Sequence, residues 1–299
     1  MYKINSNNYT ELADKTVNSL LDWGTNYLTK GNIEDAALNA ELLLGHLLNY
    51  SRSDIRINYK RRLNTNLIIK YKSLIYRRIK NEPLQYIQGG TEFMGLWLKV
   101  DKRVFIPRPE TELLVEKVLE ICNNKKDKKY YLLDIGTGSG NIPVAVAHKC
   151  SNVLIDAVDI DKNALKVAEE NIKRYRLSKR IKCIHQDIFN YNNKILLEKY
   201  DIIVSNPPYI PYVEYLDLAP EIRKYEPAKA CTDCADGLTF YSKIIDLSKF
   251  ILKEGGTCLV EIGYGQSKKV SDIFSEGGLK NIKIYKDLNK HDRIVSGIK

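Results

Sequence analysis

After Tyr130 the chain alternates short apolar runs with longer amphipathic segments, and this alternation fixes the class of fold. Tyr131–Asp134, Val153–Val158, Ile181–His185 and Asp201–Val204 have the length and near-continuous apolar character of buried strands. Residues 143–148 and 162–174 between them carry helical spacing. Leu238–Leu252 predicts a further helix, Thr257–Ile262 a strand, and Ile282–Asp287 with Arg293–Ile298 a closing pair of strands. Such a βαβ series implies an α/β fold with a doubly wound, seven-stranded mixed sheet covered by helices. Sheets of this kind bind ligands at the carboxyl ends of their strands, so the residues that follow each strand carry the functional argument.

The region before Tyr130 reads differently. Ile33–Asn49 places Ala36, Ala37, Ala40, Leu43, Leu44, Leu47 and Leu48 at helical spacing, and Leu67–Ile79 repeats the pattern with Tyr71, Leu74 and Ile75. These faces predict a small N-terminal helical bundle over 1–84, either a partner-recognition domain or a stabilising extension. Residues 86–93 and 96–100 read as two strands joined at Met94-Gly95, a β-hairpin linker over 85–108 that bridges to a main domain over 109–299. The linker ends in Phe105-Ile106-Pro107-Arg108-Pro109-Glu110-Thr111-Glu112, where Glu110 or Thr111 opens the next helix.

Four strand ends are unusual together. Gly136-Thr137-Gly138-Ser139-Gly140 follows the first strand of the main domain; its glycines let the backbone turn tightly and approach a ligand, and the helix after it favours an anionic group. Its spacing is neither the dinucleotide-binding pattern nor a P-loop. Asp159 ends the second strand, where a carboxylate can accept bonds from two ribose hydroxyls; Asp161 is the better helix cap. Asp187 follows the third, with apolar Ile188 behind it, a pair that suits the amino group and face of an adenine. Finally the strand 201–204 runs into Asn206-Pro207-Pro208-Tyr209. Asn206 offers a neutral oxygen, the prolines stiffen the turn and leave the Pro207 carbonyl free, and Tyr209 supplies an aromatic face. That tetrapeptide suits the presentation of a planar nitrogen to an electrophilic methyl group.

The net charge of +10 permits contact with nucleic acid or an acidic ribonucleoprotein, but the charges are spread. The densest runs are Lys60-Arg61-Arg62, Arg77-Arg78 and Lys125-Lys126-Asp127-Lys128-Lys129. The six cysteines lack disulfide spacing, and Cys231 with Cys234 is a lone pair without a partner set, so no metal is expected. The N-terminus shows no secretory segment, Glu11 and Asp14 argue against a transit peptide, and no run is long enough to cross a bilayer. A cytoplasmic monomer with reduced thiols is the expectation.

The order of these motifs resembles the S-adenosylmethionine-dependent methyltransferases of Rossmann-like fold. It is most similar to the protein-(glutamine-N5) methyltransferases of peptide chain release factors. The resemblance spans nearly the whole chain and rests on 82–87, 105–112, 133–140 and 206–210, with Asp236-Gly237-Leu238, Glu261-Ile262-Gly263 and Asp292-Arg293. The stretch Ile-Pro-Arg-Pro-Glu-Thr-Glu is the specific one; Asn-Pro-Pro-Tyr also occurs in amino-methyltransferases of DNA. Ile188 stands where some relatives carry an aromatic residue. The resemblance implies S-adenosylmethionine as cofactor, held by Gly136–Gly140, Asp159, Asp187, Ile188 and Asn206. It implies an N-terminal domain that docks a class 1 release factor, and methylation of the glutamine in that factor's Gly-Gly-Gln motif, tuning translation termination.

In this reading Asn206 Oδ1 and the Pro207 carbonyl each accept one N–H of the substrate amide, and Asn206, Pro207 and Tyr209 carry the chemistry. Pro208 completes the substrate turn, and Tyr209 packs on the amide. Phe105 walls the methyl pocket or is an ordinary core aromatic. Arg108 contacts substrate, orients a loop or makes an interdomain ion pair. No general base is required, and none is evident beside the motif. The competing readings are a DNA or RNA amino-methyltransferase, a glutamine methyltransferase acting on a ribosomal protein, and a cofactor-binding adaptor. The first lacks a target-recognition domain, so nucleic acid is not the expected substrate; the last is opposed by the intact 206–209.

Overall fold

The computed structural model describes residues 14–124, 127–190 and 198–299; Glu11, Lys125 and Lys126, named above, lie outside them. The chain forms two compact units that divide between Gln88 and Gly89.

The described helices of the first unit are α1 (Val17–Lys30), α2 (Ala36–Leu48), α3 (Arg52–Ile57), α4 (Thr65–Arg78) and α5 (Leu84–Gln88). Side-chain caps set three of the starts: Thr16, Ser51 and Asn64 accept the N–H groups of Ser19, Asp54 and Leu67. The two apolar faces predicted from spacing cover each other. Ala40, Leu43 and Leu44 of α2 share one core with Ile68, Tyr71 and Ile75 of α4 and with Leu20 and Leu28 of α1. The strand expected to open at Tyr86 is instead the helix α5. The Pro83 carbonyl accepts the N–H groups of both Tyr86 and Ile87, a helical bonding pattern that a strand cannot make.

The second unit opens with the hairpin β1 (Gly90–Phe93) and β2 (Leu96–Lys99). Met94 and Gly95 both have positive φ, as a two-residue type I′ turn demands. The hairpin expected as a linker belongs to this unit. The Met94 N–H donates to Glu112 Oε1 at 2.6 Å, and Lys99 exchanges two bonds with the Asn171 side chain at 2.7 and 3.0 Å.

The elements that follow are α6 (Glu110–Asn123), β3 (Tyr130–Ile135), α7 (Asn141–Lys149), β4 (Val153–Asp159), α8 (Lys162–Arg174), β5 (Ile181–His185) and β6 (Tyr200–Ser205). After them come α9 (Tyr212–Tyr215), α10 (Pro220–Tyr225), α11 (Thr239–Ile251), β7 (Leu252–Glu261), α12 (Ser267–Glu276), β8 (Lys280–Lys286) and β9 (Asp292–Ile298). The expected seven-stranded mixed sheet has the order β5-β4-β3-β6-β7-β9-β8, with β9 antiparallel to both neighbours. Successive side chains go to opposite faces: Leu132, Ile202 and Val204 join Leu114 and Val118 of α6, while Leu133 and Ile203 join Tyr241 and Ile244 of α11. The chain winds outward from β3 to β5 and returns beside β3 as β6. Order therefore reverses between β3 and β6, the place where such a sheet leaves a crevice.

Candidate active site

The crevice is a cavity of about 1240 Å³, counting its open mouth, lined by the residues that end β3, β4, β5 and β6. The glycine loop is pinned onto β4. Gly136 and Thr137 N–H both donate to the Val158 carbonyl at 2.9 and 3.0 Å, and Gly138 N–H to Asp159 Oδ2 at 2.8 Å. At Gly140, φ is +77° and a Cβ would stand 3.1 Å from that of Ala168, so glycine lets α7 and α8 approach. Asn171, fully buried on α8, donates to the Ser139 carbonyl at 2.9 Å and holds the loop from the other side.

Asp134, at the end of β3, is fully buried. Among the described residues neither carboxyl oxygen has a hydrogen-bond partner, nor have Thr137 Oγ1 and Ser139 Oγ in the loop that follows. Burial pushes the Asp134 carboxyl up to about 7; the Thr137 hydroxyl nearby opposes the rise and the Asp159 charge adds to it. Unpartnered acceptors at a glycine loop fit the ammonium of an amino-acid-bearing cofactor, which would supply the missing donors. The α7 N-terminus beside them suits its carboxylate.

A pH dependence follows. Below about 4 Asp134 is protonated in folded and unfolded chains alike. Between that and about 7 only the unfolded chain ionises, so stability falls as pH rises and the loss is complete above 7. Asp134→Asn is expected to raise the melting temperature of the cofactor-free protein by several degrees at pH 8 and hardly at pH 4. Calorimetric titration with S-adenosylmethionine should show it weakening cofactor binding by roughly 10–100-fold. Unaltered affinity would remove Asp134 from the site.

Asp159 stands where expected and lines the cleft. Both of its oxygens already accept backbone N–H groups, Gly138 at Oδ2 and Asp161 at Oδ1, each at 2.8 Å. It braces the loop and retains lone pairs toward the cleft. Asp161 caps α8 through the Asn163 N–H and pairs with Lys229 at 2.8 Å. Asp187 also lines the cleft, with its oxygens accepting Phe189 N–H at 2.9 Å and Asn190 Nδ2 at 2.7 Å. Ile188 is buried in the core while reaching the cleft. The aromatic wall comes from the next residue: Phe189 meets Phe240 of α11 edge to face at 5.3 Å, and both line the cavity.

At the end of β6, the Ser205 hydroxyl donates to the Ile135 carbonyl at 2.7 Å and locks the two central strands together. Asn206 Nδ2 donates to Thr111 Oγ1 at 3.0 Å. That bond turns Asn206 Oδ1 away from Thr111, and among the described residues nothing donates to it or to the Pro207 carbonyl. Pro207 is buried and Pro208 half-buried; both line the cleft. Tyr209 packs on the core, its hydroxyl donating to Glu261 Oε1 at 3.4 Å and its carbonyl accepting Gln266 Nε2 at 2.9 Å.

Phe105 lines the same cleft, with the Arg108 guanidinium 4.4 Å over its ring. Arg108 itself lies outside the lining. It pairs with the buried Glu226, which also accepts the Ile106 N–H at 3.0 Å. The pair is internal to the second unit and ties the 105–108 segment to the chain after α10. Burial raises the Glu226 carboxyl above the usual range, and the Arg108 charge opposes the rise.

Three partners escape a reading of the sequence. Thr111 and Glu226 meet the motif residues only through the tertiary fold, and Glu261, at the end of β7, stands behind Tyr209. Glu261 is a titratable group beside the motif where none was evident: burial pushes it up to about 7, opposed by the Thr111 hydroxyl and the Arg293 charge.

Residues 19–89 match the family model described as PrmC N-terminal domain, and 109–219 that of the methyltransferase small domain. The release factor glutamine methyltransferase of Clostridium botulinum is 39% identical over 282 residues, covering 94% of this chain and 98% of the relative. That of Geobacter sulfurreducens is 36% identical over 282 residues, covering 94% and 96%. Among solved structures, the hMettl16 catalytic domain in complex with MAT2A 3'UTR hairpin 1 is similar with a TM-score of 0.53 over 79% of this chain and 81% of that one. At 14% identity that likeness shows the fold alone. Together with the cleft at the β3/β6 reversal, these matches place the chain in the release factor glutamine methyltransferase family.

Proposed function

We propose that this chain transfers a methyl group from S-adenosylmethionine to the side-chain amide nitrogen of the glutamine in the Gly-Gly-Gln motif of class 1 peptide chain release factors. The observation that carries the reading is the pair of acceptors, Asn206 Oδ1 and the Pro207 carbonyl, to which nothing among the described residues donates, on two residues that line the cleft. When bound, S-adenosylmethionine supplies a methyl group activated by its sulfonium. Asp134, Thr137 and Ser139 hold its amino-acid end against the α7 N-terminus, Asp159 its ribose, and Asp187, Ile188 and Phe189 its adenine. Asn206 Oδ1 and the Pro207 carbonyl each accept one amide N–H of the acceptor at about 2.7–3.2 Å. These bonds aim the nitrogen lone pair out of the amide plane and strengthen as positive charge develops on nitrogen, so they favour the transition state over the ground state. As the nitrogen–methyl bond forms the sulfur–methyl bond would break, leaving a neutral thioether, and the nitrogen then loses one of its two N–H protons to solvent. Tyr209 and Phe105 confine the flat amide.

The helical unit docks the release factor, the enzyme acts as a monomer, and its place is the cytoplasm where translation factors work. Among the described residues no helix is long and apolar enough to cross a membrane. Fragmentation mass spectrometry of a release factor incubated with the enzyme and S-adenosylmethionine should place one methyl on the Gly-Gly-Gln glutamine. A methyl on any other residue would overturn the reading.

A further inference from the structure

Two polar contacts, one from α6 and one from the end of β7, hold the two ends of the 206–209 turn. Asn206 Nδ2 donates to Thr111 Oγ1 at 3.0 Å. Thr111 is only 1% exposed. Glu261 Oε1 accepts the Tyr209 hydroxyl at 3.4 Å, while Oε2 has no hydrogen-bond partner. The Glu261 carbonyl accepts the fully buried Tyr241 hydroxyl at 3.0 Å, so the end of β7 is fixed to α11. Arg293 from β9 and Glu110 from α6 are the other charged groups that act on this carboxyl. One end of the turn thus rests on Thr111 and the other on the buried Glu261. An amide group offers a donor and an acceptor at one end, so whatever fixes its nitrogen decides where its oxygen points.

We propose that Thr111 and Glu261 are positioning residues of the methyl transfer: Thr111 fixes the Asn206 amide so that Oδ1 faces the acceptor nitrogen, and Glu261 anchors the Tyr209 end of the same turn. The inference rests on the function proposed above. Glu261 serves as an acceptor for the Tyr209 hydroxyl, a role for which a carboxylate is suited.

Thr111→Val keeps shape and removes the hydroxyl. It is expected to lower kcat by about 10²-fold, the effect of a small misplacement of a positioned group. The KM for release factor and the Kd for S-adenosylmethionine should stay within about threefold of wild type, and Thr111→Ser should restore kcat. Glu261→Gln can put a donor where Tyr209 needs an acceptor and should lower kcat about 10-fold. Wild-type kcat in Thr111→Val, or a loss that Thr111→Ser shares, overturns the inference. A readout without substrate separates it from the functional reading. The Asn206 side-chain amide signal in a ¹⁵N spectrum, assigned with Asn206→Ala, should shift in Thr111→Val and hold its place in Thr111→Ser. An unmoved signal in Thr111→Val sinks the inference whichever substrate the enzyme takes.

Discussion

Asn206→Ala is expected to lower kcat by about 10³-fold or more and to leave the Kd for S-adenosylmethionine within about threefold. The substituted side chain provides one of the two acceptors that aim the amide nitrogen, and loss of one preorganised polar group in an active site costs about 10²–10³-fold in kcat. Misaim of the remaining contact adds to that, because in-line positioning is itself a large part of such a barrier. In the function proposed above the cofactor, by contrast, rests mainly on the ends of β3, β4 and β5, where Asp134, Asp159 and Asp187 stand. The chain around the mutation should survive: Pro207 and Pro208 still fix the turn, and Ser205 still bonds the Ile135 carbonyl. Calorimetric titration and single-turnover kinetics together check this. Turnover near wild type would remove Asn206 from the chemistry, and a parallel loss of cofactor affinity would make it a cofactor ligand instead.

Gly237→Ala is expected to damage both fold and catalysis. Gly237 has φ of +80°, and a Cβ built there would lie 2.2 Å from the Tyr209 carbonyl oxygen and 2.9 Å from Gln266 Nε2. The left-handed backbone alone costs about 1–3 kcal/mol with a side chain in place. The clash cannot be relieved by rotating a flexible side chain, since the nearest atom is backbone. Either the 209–210 turn or the loop before α11 must move, and both carry cleft residues, Tyr209 on one side and Phe240 on the other. A drop in melting temperature together with a fall in kcat of at least about 10-fold is the expected result. Gly237→Ala with wild-type melting and kcat would show that this close approach is dispensable. The Asp236-Gly237-Leu238 motif therefore acts through its backbone: Asp233 accepts the Gly237 N–H with both oxygens and fixes the loop that presses on Tyr209.

The large elements of this fold are legible because each follows a local rule. Buried strands read as apolar runs, and Lys162–Arg174 reads as a helix behind its Asp161 cap. Met94-Gly95 announces its turn through the residues that tolerate positive φ. The strand ends then sort the candidate residues into one cleft without any knowledge of strand order. What the sequence conceals is pairing at long range. Thr111 and Asn206 are 95 residues apart, and Arg108 and Glu226 are 118 apart. Their meeting depends on β6 lying beside β3 and on the chain returning past α10, and neither fact leaves a local pattern. Asp134 sits inside a recognised motif, yet its importance comes from complete burial without a partner, a property of the packed protein. Tyr86-Ile87 misleads for a related reason: both have strand propensity, and burial of both in a turn of helix bonded to the Pro83 carbonyl overrides it.

The most direct test of the account is transfer of labelled methyl from S-adenosylmethionine to a purified class 1 release factor. Its Gly-Gly-Ala variant, duplex DNA and ribosomes serve as the parallel acceptors. The account predicts label on the release factor and none on the variant, the DNA or the ribosomes. Equal label on the variant, or label on nucleic acid in its place, would contradict it.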